Sequence, residues 1–286
     1  MKKKISLLLV LVMLSSILLA ACKKDGANEQ VDNLLNNTET EIESYSLDGI
    51  KNKGKLIMGT SADYPPFEFH IMVDGKDTIV GFDIEMGKYI ADKLGVELEI
   101  RDMEFNNLLG GLSTGMLDIV IAGMVNEPDR EANFTKPYDS DGVHKILIRK
   151  SDQNRFQSEA DFNGATLGAQ TGSLQKDIAK GIEGATVKEL PALNTLIMEL
   201  KTEKVDGVVM SVEAAELYKE TNEDIVIIEK VDLTHGDGGP SIALKTGNDE
   251  LTEYINEIID ELIELNLIEK WKAEAKELSD QEVKGN

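Results

Sequence analysis

Short apolar runs alternate along this chain with segments of helical spacing, and the alternation predicts the secondary structure. In the first half we expect strands at 55–60, 96–103 and 118–123, with helices at 81–95 and 105–112. The same order then begins again. The later expected elements are strands 143–150, 166–169, 185–190, 206–210, 225–229 and 241–245, and helices 174–182, 193–202 and 249–275. Strands alternating with helices are typical of α/β folds with mainly parallel sheets.

Several residues are expected to end or divide these helices. Gly95 ends the helix 81–95, since glycine readily adopts the left-handed conformation found after helices. Asn248 is a candidate N-cap of the last helix, and Asn266 is a point at which that helix can divide into two. Trp271 is expected to pack into the core.

The segment 61–69 contains two consecutive prolines, which exclude the interior of a helix or a central strand. We therefore expect a rigid loop that displays Tyr64 and Phe67. Either ring can belong to the core or to a pocket. We expect Phe67 in the core and Tyr64, which stands beside Asp63 and the prolines, in a pocket.

Three segments of the first half lie where predicted strands end, namely 59–64, 103–105 and 122–130. In open α/β sheets, ligands bind beyond the carboxyl ends of the strands. Arg130 follows one such strand, and its forked guanidinium suits a carboxylate or another anion. A surface arginine in a loop is the alternative, but the convergence of three strand ends favours an anion site.

A second candidate anion site is the segment Gln170-Thr-Gly-Ser173 before the helix 174–182. Gly172 allows the turn, and Ser173 can cap a helix whose first N–H groups face an anion. The segment is too short for a phosphate loop and lacks its lysine. A plain capped helix explains it equally well.

Residues 1–22 form a targeting segment, with Lys2 to Lys4 before a nearly continuous apolar run. Its end, Leu-Ala-Ala-Cys22, resembles a bacterial lipobox, which implies cleavage before Cys22 and acylation of its thiol. An ordinary secretory signal is the alternative, but Cys22 is the only cysteine and stands where a lipid is attached. Residues 23–47 are polar and are expected to form a flexible tether.

The net charge of −23 argues against nucleic-acid binding, which requires a basic surface. A single cysteine leaves no disulfide to stabilise the exported protein. The three histidines, at 70, 144 and 235, are scattered, and no pairing of a nucleophile with a base is visible. We therefore expect no catalytic residue, no metal and no cofactor.

Five segments together resemble the polar amino-acid solute-binding proteins of ABC importers, solute-binding protein family 3. They are Gly-Thr-Ser-Ala-Asp-Tyr-Pro-Pro-Phe-Glu-Phe (59–69), Val-Gly-Phe-Asp-Ile (80–84), Ala-Gly-Met-Val-Asn-Glu-Pro-Asp-Arg (122–130), Phe-Thr-Lys-Pro-Tyr (134–138) and Gly-Ala-Gln-Thr-Gly-Ser (168–173). The resemblance covers about residues 55–271. Their order along most of the chain makes the match specific.

The resemblance implies a type II periplasmic-binding-protein-like α/β fold with two lobes joined by two crossover strands. Each lobe would be a mostly parallel sheet flanked by helices. The first would comprise residues 48–141 and 235–278, the second residues 142–234, and 279–286 would be a polar tail. A ligand would bind between the lobes and be buried by their closure.

The resemblance also implies roles for individual residues. Arg130 would bind the ligand carboxylate, helped by the N–H groups of Val125 and Leu174, and the Gly123 carbonyl would lie near the α-ammonium. The remaining implied site residues are Tyr64 and Phe105, whose rings would flank the ligand side chain, and Ser61 and Gln170, which would influence selectivity.

Two site positions depart from the family pattern. Val125 stands where the family usually has serine or threonine, and Ser211 stands where it usually has the acid that pairs the ligand ammonium. A buried ammonium without an anion is costly. Either another acid replaces it, with Asp63, Glu213 and Asp237 as candidates, or the ligand carries no ordinary α-ammonium.

We therefore expect a monomeric extracytoplasmic lipoprotein, anchored to the outer face of the cell membrane through Cys22. It would capture an amino acid or a related carboxylate and deliver it to an ABC permease. Two alternatives remain, a cleft enzyme resembling cyclohexadienyl dehydratase and a ligand-sensing module. The first needs a general acid or base in the cleft, and the second needs an attached signalling segment.

Overall fold

The structure, a computed structural model, describes residues 45–140, 142–234, 236 and 238–285, with side chains through Ser279. The strands are β1 (Lys55–Thr60), β2 (Asp63–Tyr64), β3 (Glu68–Val73), β4 (Lys76–Val80), β5 (Glu97–Asp102), β6 (Ile119–Val120), β7 (Asn133–Pro137), β8 (His144–Arg149), β9 (Thr166–Gln170), β10 (Thr186–Leu190), β11 (Gly207–Ser211), β12 (Ile225–Ile227) and β13 (Ser241–Leu244). The α-helices are α1 (Leu47–Lys53), α2 (Phe82–Leu94), α3 (Leu108–Ser113), α4 (Leu174–Gly181), α5 (Leu193–Lys201), α6 (Val212–Glu220), α7 (Asp249–Glu264) and α8 (Leu267–Gly285). Short 3-10 helices lie at Phe105–Asn107, Lys150–Asp152 and Glu159–Phe162.

The first five-stranded sheet has the order β5-β1-β6-β13-β7. Strand β1 pairs in parallel with β5 and β6, whereas β13 is antiparallel to β6 and β7. All its strands except β13 therefore run in one direction. Helices α2 and α3 pack on β1, and α7 packs on β7. A separate three-stranded sheet, β2-β3-β4, packs on α2. We call the five-stranded sheet, its helices and this small sheet the first lobe.

The second five-stranded sheet has the order β10-β9-β11-β8-β12. Strand β9 is parallel to β10 and β11, and β8 is antiparallel to β11 and β12. Helices α4 and α5 pack on β9, and α6 packs on β8. We call this sheet with its helices the second lobe. Its single reversed strand, β8, holds the same place in the order as β13 in the first sheet.

The reversed strands are those that the chain enters after crossing between lobes. It crosses from β7 to β8, and again from β12 to β13. Isolated bridges join Val125 to Pro240 and His144 to Leu233 beside these crossings. The other strands of each sheet have their carboxyl ends on the side that faces the opposite lobe. A chain that crosses from the opposite lobe starts its strand on that side, so this strand runs antiparallel to its neighbours.

The apolar runs of the strands are continuous because both faces of each sheet are covered. In the first lobe, Met58 and Ile119 face one core cluster, whereas Ile57 and Val120 face another on the opposite side. The second lobe shows the same alternation between its two clusters. A strand buried on both faces is expected to lack polar alternation.

Several elements contradict or extend the predicted pattern. The segment 61–69 is not only a loop, because β2 and the start of β3 lie within it, and β3 and β4 form an antiparallel hairpin. Residues 105–112 begin as a 3-10 helix before α3. Helix α6 and strand β7 were not predicted, since neither shows a periodic apolar pattern long enough to distinguish it from a loop.

The last predicted helix divides as expected. Asn266 has a positive φ of 54°, which breaks the helical hydrogen bonding between α7 and α8. Asn248 occupies the predicted N-cap position of α7, but its side chain makes no capping hydrogen bond and donates instead to the carbonyl oxygen of Tyr45 at 2.7 Å. Trp271 is half-buried against the first-lobe core and lies beside Tyr89.

The predicted tether and tail bounds differ from the structure at their inner ends. Ser46 caps α1 by accepting a hydrogen bond from the Gly49 N–H, so the ordered fold begins before residue 48. Helix α8 continues to Gly285, through most of the predicted tail. The predicted signal segment and Cys22 lie outside the described residues. Within the described ranges, no helix is both long and apolar enough to cross a bilayer.

Candidate functional site

The predicted binding residues meet in a cavity between the two lobes, which we call the first cavity. Every residue that the resemblance assigned to ligand binding lines it, except Ser211. The described residues that line it are Ser61, Tyr64, Glu68, Phe105, Ala122, Gly123, Val125, Arg130, Gln170, Ser173, Leu174 and Gln175. The strand-end rule places them there: Ser61 follows β1, Ala122 follows β6, and Gln170 ends β9.

Arg130 lies at the seam between the lobes, with only 7 % of its side chain exposed. Its Nη1 donates to the carbonyl oxygen of Val125, and its Nη2 donates to that of Gly172 in the second lobe at 3.0 Å. Glu127 supplies a carboxylate 3.0 Å from Nη2. Burial nevertheless lowers the pKa of Arg130 below its ordinary value. Because a guanidinium has five N–H donors, Arg130 can bind an anion in addition to these partners.

The start of helix α4 faces Arg130 from the second lobe. Ser173 caps this helix by accepting from the Lys176 N–H at 3.3 Å, as predicted. Gly172 has a positive φ of 76°, and a side chain there would press on Asn106 of the first lobe. Leu174 is the first helical residue, so its N–H has no partner within the helix and is available to an anion.

Aromatic rings form the walls of the first cavity. The centroid of the Phe105 ring lies 5.7 Å from Cζ of Arg130, so the ring packs beside the guanidinium. Tyr64 stacks on Phe67 with ring centroids 5.0 Å apart, and Phe67 itself is buried in the core, as predicted. Gly123 permits this packing, because a Cβ there would lie 3.2 Å from the Tyr64 ring.

Asp63 joins the lobes and does not line the first cavity. Its Oδ2 accepts from the Leu193 N–H at 2.7 Å, and its Oδ1 accepts from Nε2 of Gln170 at 3.3 Å. The Tyr218 hydroxyl donates to its carbonyl oxygen at 2.9 Å. Burial raises the pKa of Asp63 to about 6. These bonds hold β2 of the first lobe against α5 and α6 of the second.

Glu68 is a site residue that sequence analysis missed. It is fully buried, lines the first cavity, and neither carboxyl oxygen has a hydrogen-bond donor among the described residues. Burial, reinforced by the neighbouring Asp83, raises its pKa well above the ordinary value. An acid enclosed by Phe67 and Phe69 was the available signal, since isolated acids are rarely buried without function.

Asp83 lies behind Glu68 and supports the cavity wall. Its Oδ2 accepts from the Gly123 N–H at 2.9 Å and from the Tyr138 hydroxyl at 3.0 Å. Burial raises the pKa of Asp83 to about 6. Its Oδ1 has no donor among the described residues unless the facing carboxyl of Glu68 carries a proton. A protonated Glu68 satisfies both acids, and a cation in the cavity would displace that proton.

A second cavity adjoins the first on the side of the crossings. It shares Tyr64, Gly123, Val125 and Gln175 with the first cavity. The other described residues that line it are Phe67, Asp139, Ser140, Gly142, His144, Ser211, Glu213, Gly239 and Pro240. Ser211 therefore faces the second cavity and not the first.

Gln175 and Tyr64 form the partition between the cavities. Nε2 of Gln175 donates to the Tyr64 hydroxyl at 3.2 Å and lies 3.4 Å from Nδ1 of His144. The Ser211 N–H also donates to the Tyr64 hydroxyl, at 3.3 Å. Burial raises the pKa of Tyr64, so its hydroxyl stays neutral. The partition is thus built from uncharged hydrogen bonds between the lobes.

Of the other candidate acids and histidines, Asp237 and His235 lie outside the described residues. His70 is exposed between Asp77 and Asp102, away from the first cavity. Among the described residues, no group of three or more His, Cys, Asp or Glu side chains is arranged to hold a metal ion.

Comparison with known proteins identifies the family. A model of the bacterial extracellular solute-binding proteins, family 3, matches residues 56–274. The chain belongs to this family. The arginine-binding extracellular protein ArtP of Bacillus subtilis (strain 168) is 34 % identical over 225 residues, covering 77 % of this chain and 85 % of ArtP.

Solved structures of the family share the fold. The amino acid ABC transporter substrate-binding protein AbpA of Streptococcus pneumoniae, bound to L-arginine, is 35 % identical with a TM-score of 0.77, covering 81 % of this chain and 98 % of AbpA. The ancestral amino acid-binding protein AncCDT-1, a precursor of cyclohexadienyl dehydratase, is 26 % identical with a TM-score of 0.70, covering 80 % and 98 %. These structures confirm the predicted type II two-lobed fold. ArtP, AbpA and AncCDT-1 are all named as binding proteins.

The buried acids predict an unusual pH dependence. Because the pKa of Asp83 rises from 3.8 to about 6 on folding, the folded state binds more protons between these values. The free energy of unfolding should therefore fall as pH rises from about 4 to 6, by roughly 2–3 kcal/mol from this group. Urea unfolding between pH 4.5 and 7.5 measures the slope. Asp83→Asn should reduce the slope by the contribution of this group while keeping an acceptor for Gly123, and a slope unchanged by the substitution would contradict this assignment.

Proposed function

We propose that this family 3 protein captures an amino acid between its lobes and delivers it to the permease of an ABC importer. The observation that carries the proposal is the first cavity, where buried Arg130 and buried Glu68 line one enclosed space. A ligand with a carboxylate and a cationic group complements both charges. The names of ArtP and AbpA, an arginine-binding protein and a transporter substrate-binding protein, support this reading.

Closure follows from how the site is divided between the lobes. Arg130, Glu68 and Phe105 belong to the first lobe, whereas Gln170 and Leu174 belong to the second. Neither lobe alone surrounds a ligand, so a ligand favours the closed arrangement by its greater affinity for that state. Excluding water strengthens the attraction between Arg130 and a carboxylate. The closed shape is what a permease would recognise.

Arg130→Ala tests the carboxylate site. Removing one member of a buried ion pair costs about 2–5 kcal/mol, so affinity should fall roughly 30-fold or more. Calorimetric titration with L-arginine, L-lysine, L-histidine and L-glutamine measures it, together with the ligand-induced rise in Tm. Arg155→Ala is the matched control, because Arg155 is exposed and pairs with Asp206. Equal affinity in the Arg130→Ala and control variants would reject the proposed site.

Glu68→Gln tests whether the ligand side chain is cationic. Glutamine has the shape of the protonated acid but cannot become an anion, so affinity for L-arginine should fall about tenfold or more. Affinity for L-citrulline, which replaces the guanidinium by a neutral group, should change little. The ratio of the two affinities is the measurement, and a parallel loss for both ligands would show that Glu68 does not meet the side-chain charge.

We further propose that Cys22 carries a lipid that holds the mature protein at the outer face of the membrane. Because the chain has a single cysteine, Cys22→Ser removes every possible thiol attachment. Expressed in a lipoprotein-processing bacterium, the wild-type protein should incorporate labelled palmitate and sediment with membranes. The variant should lose the label and appear in the extracytoplasmic soluble fraction. Label retained by Cys22→Ser would overturn the anchor.

A further inference from the structure

The position of the ligand ammonium can be deduced from the walls of the two cavities. In an α-amino acid, the ammonium is bonded to the carbon next to the carboxylate. A carboxylate on Arg130 lies beside Val125, whose carbonyl oxygen accepts from Nη1. Val125 and Gly123 line both cavities. The ammonium of such a ligand can therefore point past these two residues into the second cavity.

Two acids among the described residues line the second cavity, Asp139 and Glu213, and they differ in their surroundings. Asp139 is paired with Lys272 at 2.5 Å and has 12 % of its side chain exposed. Glu213 makes no ion pair or side-chain hydrogen bond with any residue that the structure describes. Its charge reaches the partition, since it contributes to raising the pKa of Tyr64. Glu213 is thus the acid with an uncommitted carboxylate.

Other residues near the shared wall are already engaged. The Ser211 hydroxyl accepts from the Ala214 N–H at 3.3 Å and caps α6, so it offers a cation no negative charge. Asp63 accepts from Leu193 and Gln170 and lines neither cavity. An ammonium enclosed here without a counter-charge would be strongly disfavoured. Glu213 also stands in the first turn of α6, where an acid offsets the partial positive charge of the helix end.

We propose that Glu213, acting from the second cavity, is the counter-charge for the α-ammonium of the ligand. The inference rests on the proposed amino-acid capture and assigns each charged group of the ligand to one residue. Arg130 binds the carboxylate, Glu68 meets a cationic side chain, and Glu213 meets the ammonium. The substrate class is accordingly an α-amino acid with a free ammonium and a basic side chain.

Two probes that differ only at the α-carbon test this assignment. L-arginine carries the ammonium, and 5-guanidinopentanoic acid has hydrogen in its place. For the wild-type protein, titration calorimetry should give an affinity for L-arginine about tenfold to a hundredfold higher than for the second probe. Glu213→Gln should lower the affinity for L-arginine by a similar factor and leave that for 5-guanidinopentanoic acid nearly unchanged.

Two further variants keep the test specific. Glu216→Gln lies one turn further along α6, where Glu216 pairs with Lys219, and should change neither affinity. Ser211→Asp, added to Glu213→Gln, keeps a good helix cap and returns an acid to the second cavity. It should restore much of the affinity for L-arginine without affecting the probe that lacks the ammonium.

The outcomes separate this inference from the proposed function. Equal loss for both probes in Glu213→Gln, or no loss for either, would overturn the role of Glu213 while leaving an Arg130-dependent amino-acid site standing. A wild-type protein that binds both probes equally would show that no counter-charge meets the ammonium. A wild-type protein that binds neither probe would overturn this inference and remove the basic amino acids from the proposed function.

Discussion

Burial of the Arg130 guanidinium at the seam between the lobes is the constraint on which the site depends. A guanidinium with 7 % of its side chain exposed must have acceptors on every side. Glu127 and the Val125 carbonyl lie on the same lobe as Arg130, whereas the Gly172 carbonyl belongs to the opposite lobe, so the guanidinium has all three of these acceptors only when the lobes are together.

Most acids near the cleft are likewise paired with other groups of the protein. Asp63 accepts a hydrogen bond from Leu193 of the other lobe, and Asp83 accepts one from the Gly123 N–H. Asp139 forms an ion pair with Lys272. Each of these carboxylates already has a partner in the protein, although each lies near the proposed ligand site. An acid can bind a cationic ligand group only if it has no other partner, so lying near the site is not sufficient. In so acidic a chain, this distinction matters more than the net charge of −23.

The parts of the site that depend on local sequence were predictable. Arg130, Phe105 and Gln170 follow strands whose apolar runs are visible, and the order of strands and helices places strand ends together. Glu68 was not predicted. It begins β3 of the unpredicted β3–β4 hairpin, and its buried neighbour Asp83 lies on α2, which is distant in the sequence. Likewise, the direction in which Ser211 faces depends on where α6 begins, and no periodic pattern marks that helix.

The reversed strands β8 and β13 each lie inside a sheet, with a neighbour on both sides. Each of the two connections therefore leaves an edge strand of one sheet, β7 or β12, and enters an interior strand of the other sheet, β8 or β13. The strand that is entered is hydrogen-bonded on both sides, so it cannot separate by peeling away from a single neighbour. We therefore expect each lobe to turn as a unit about the two connections, so that a small rotation of a few backbone bonds moves the rim of the cleft by a larger distance.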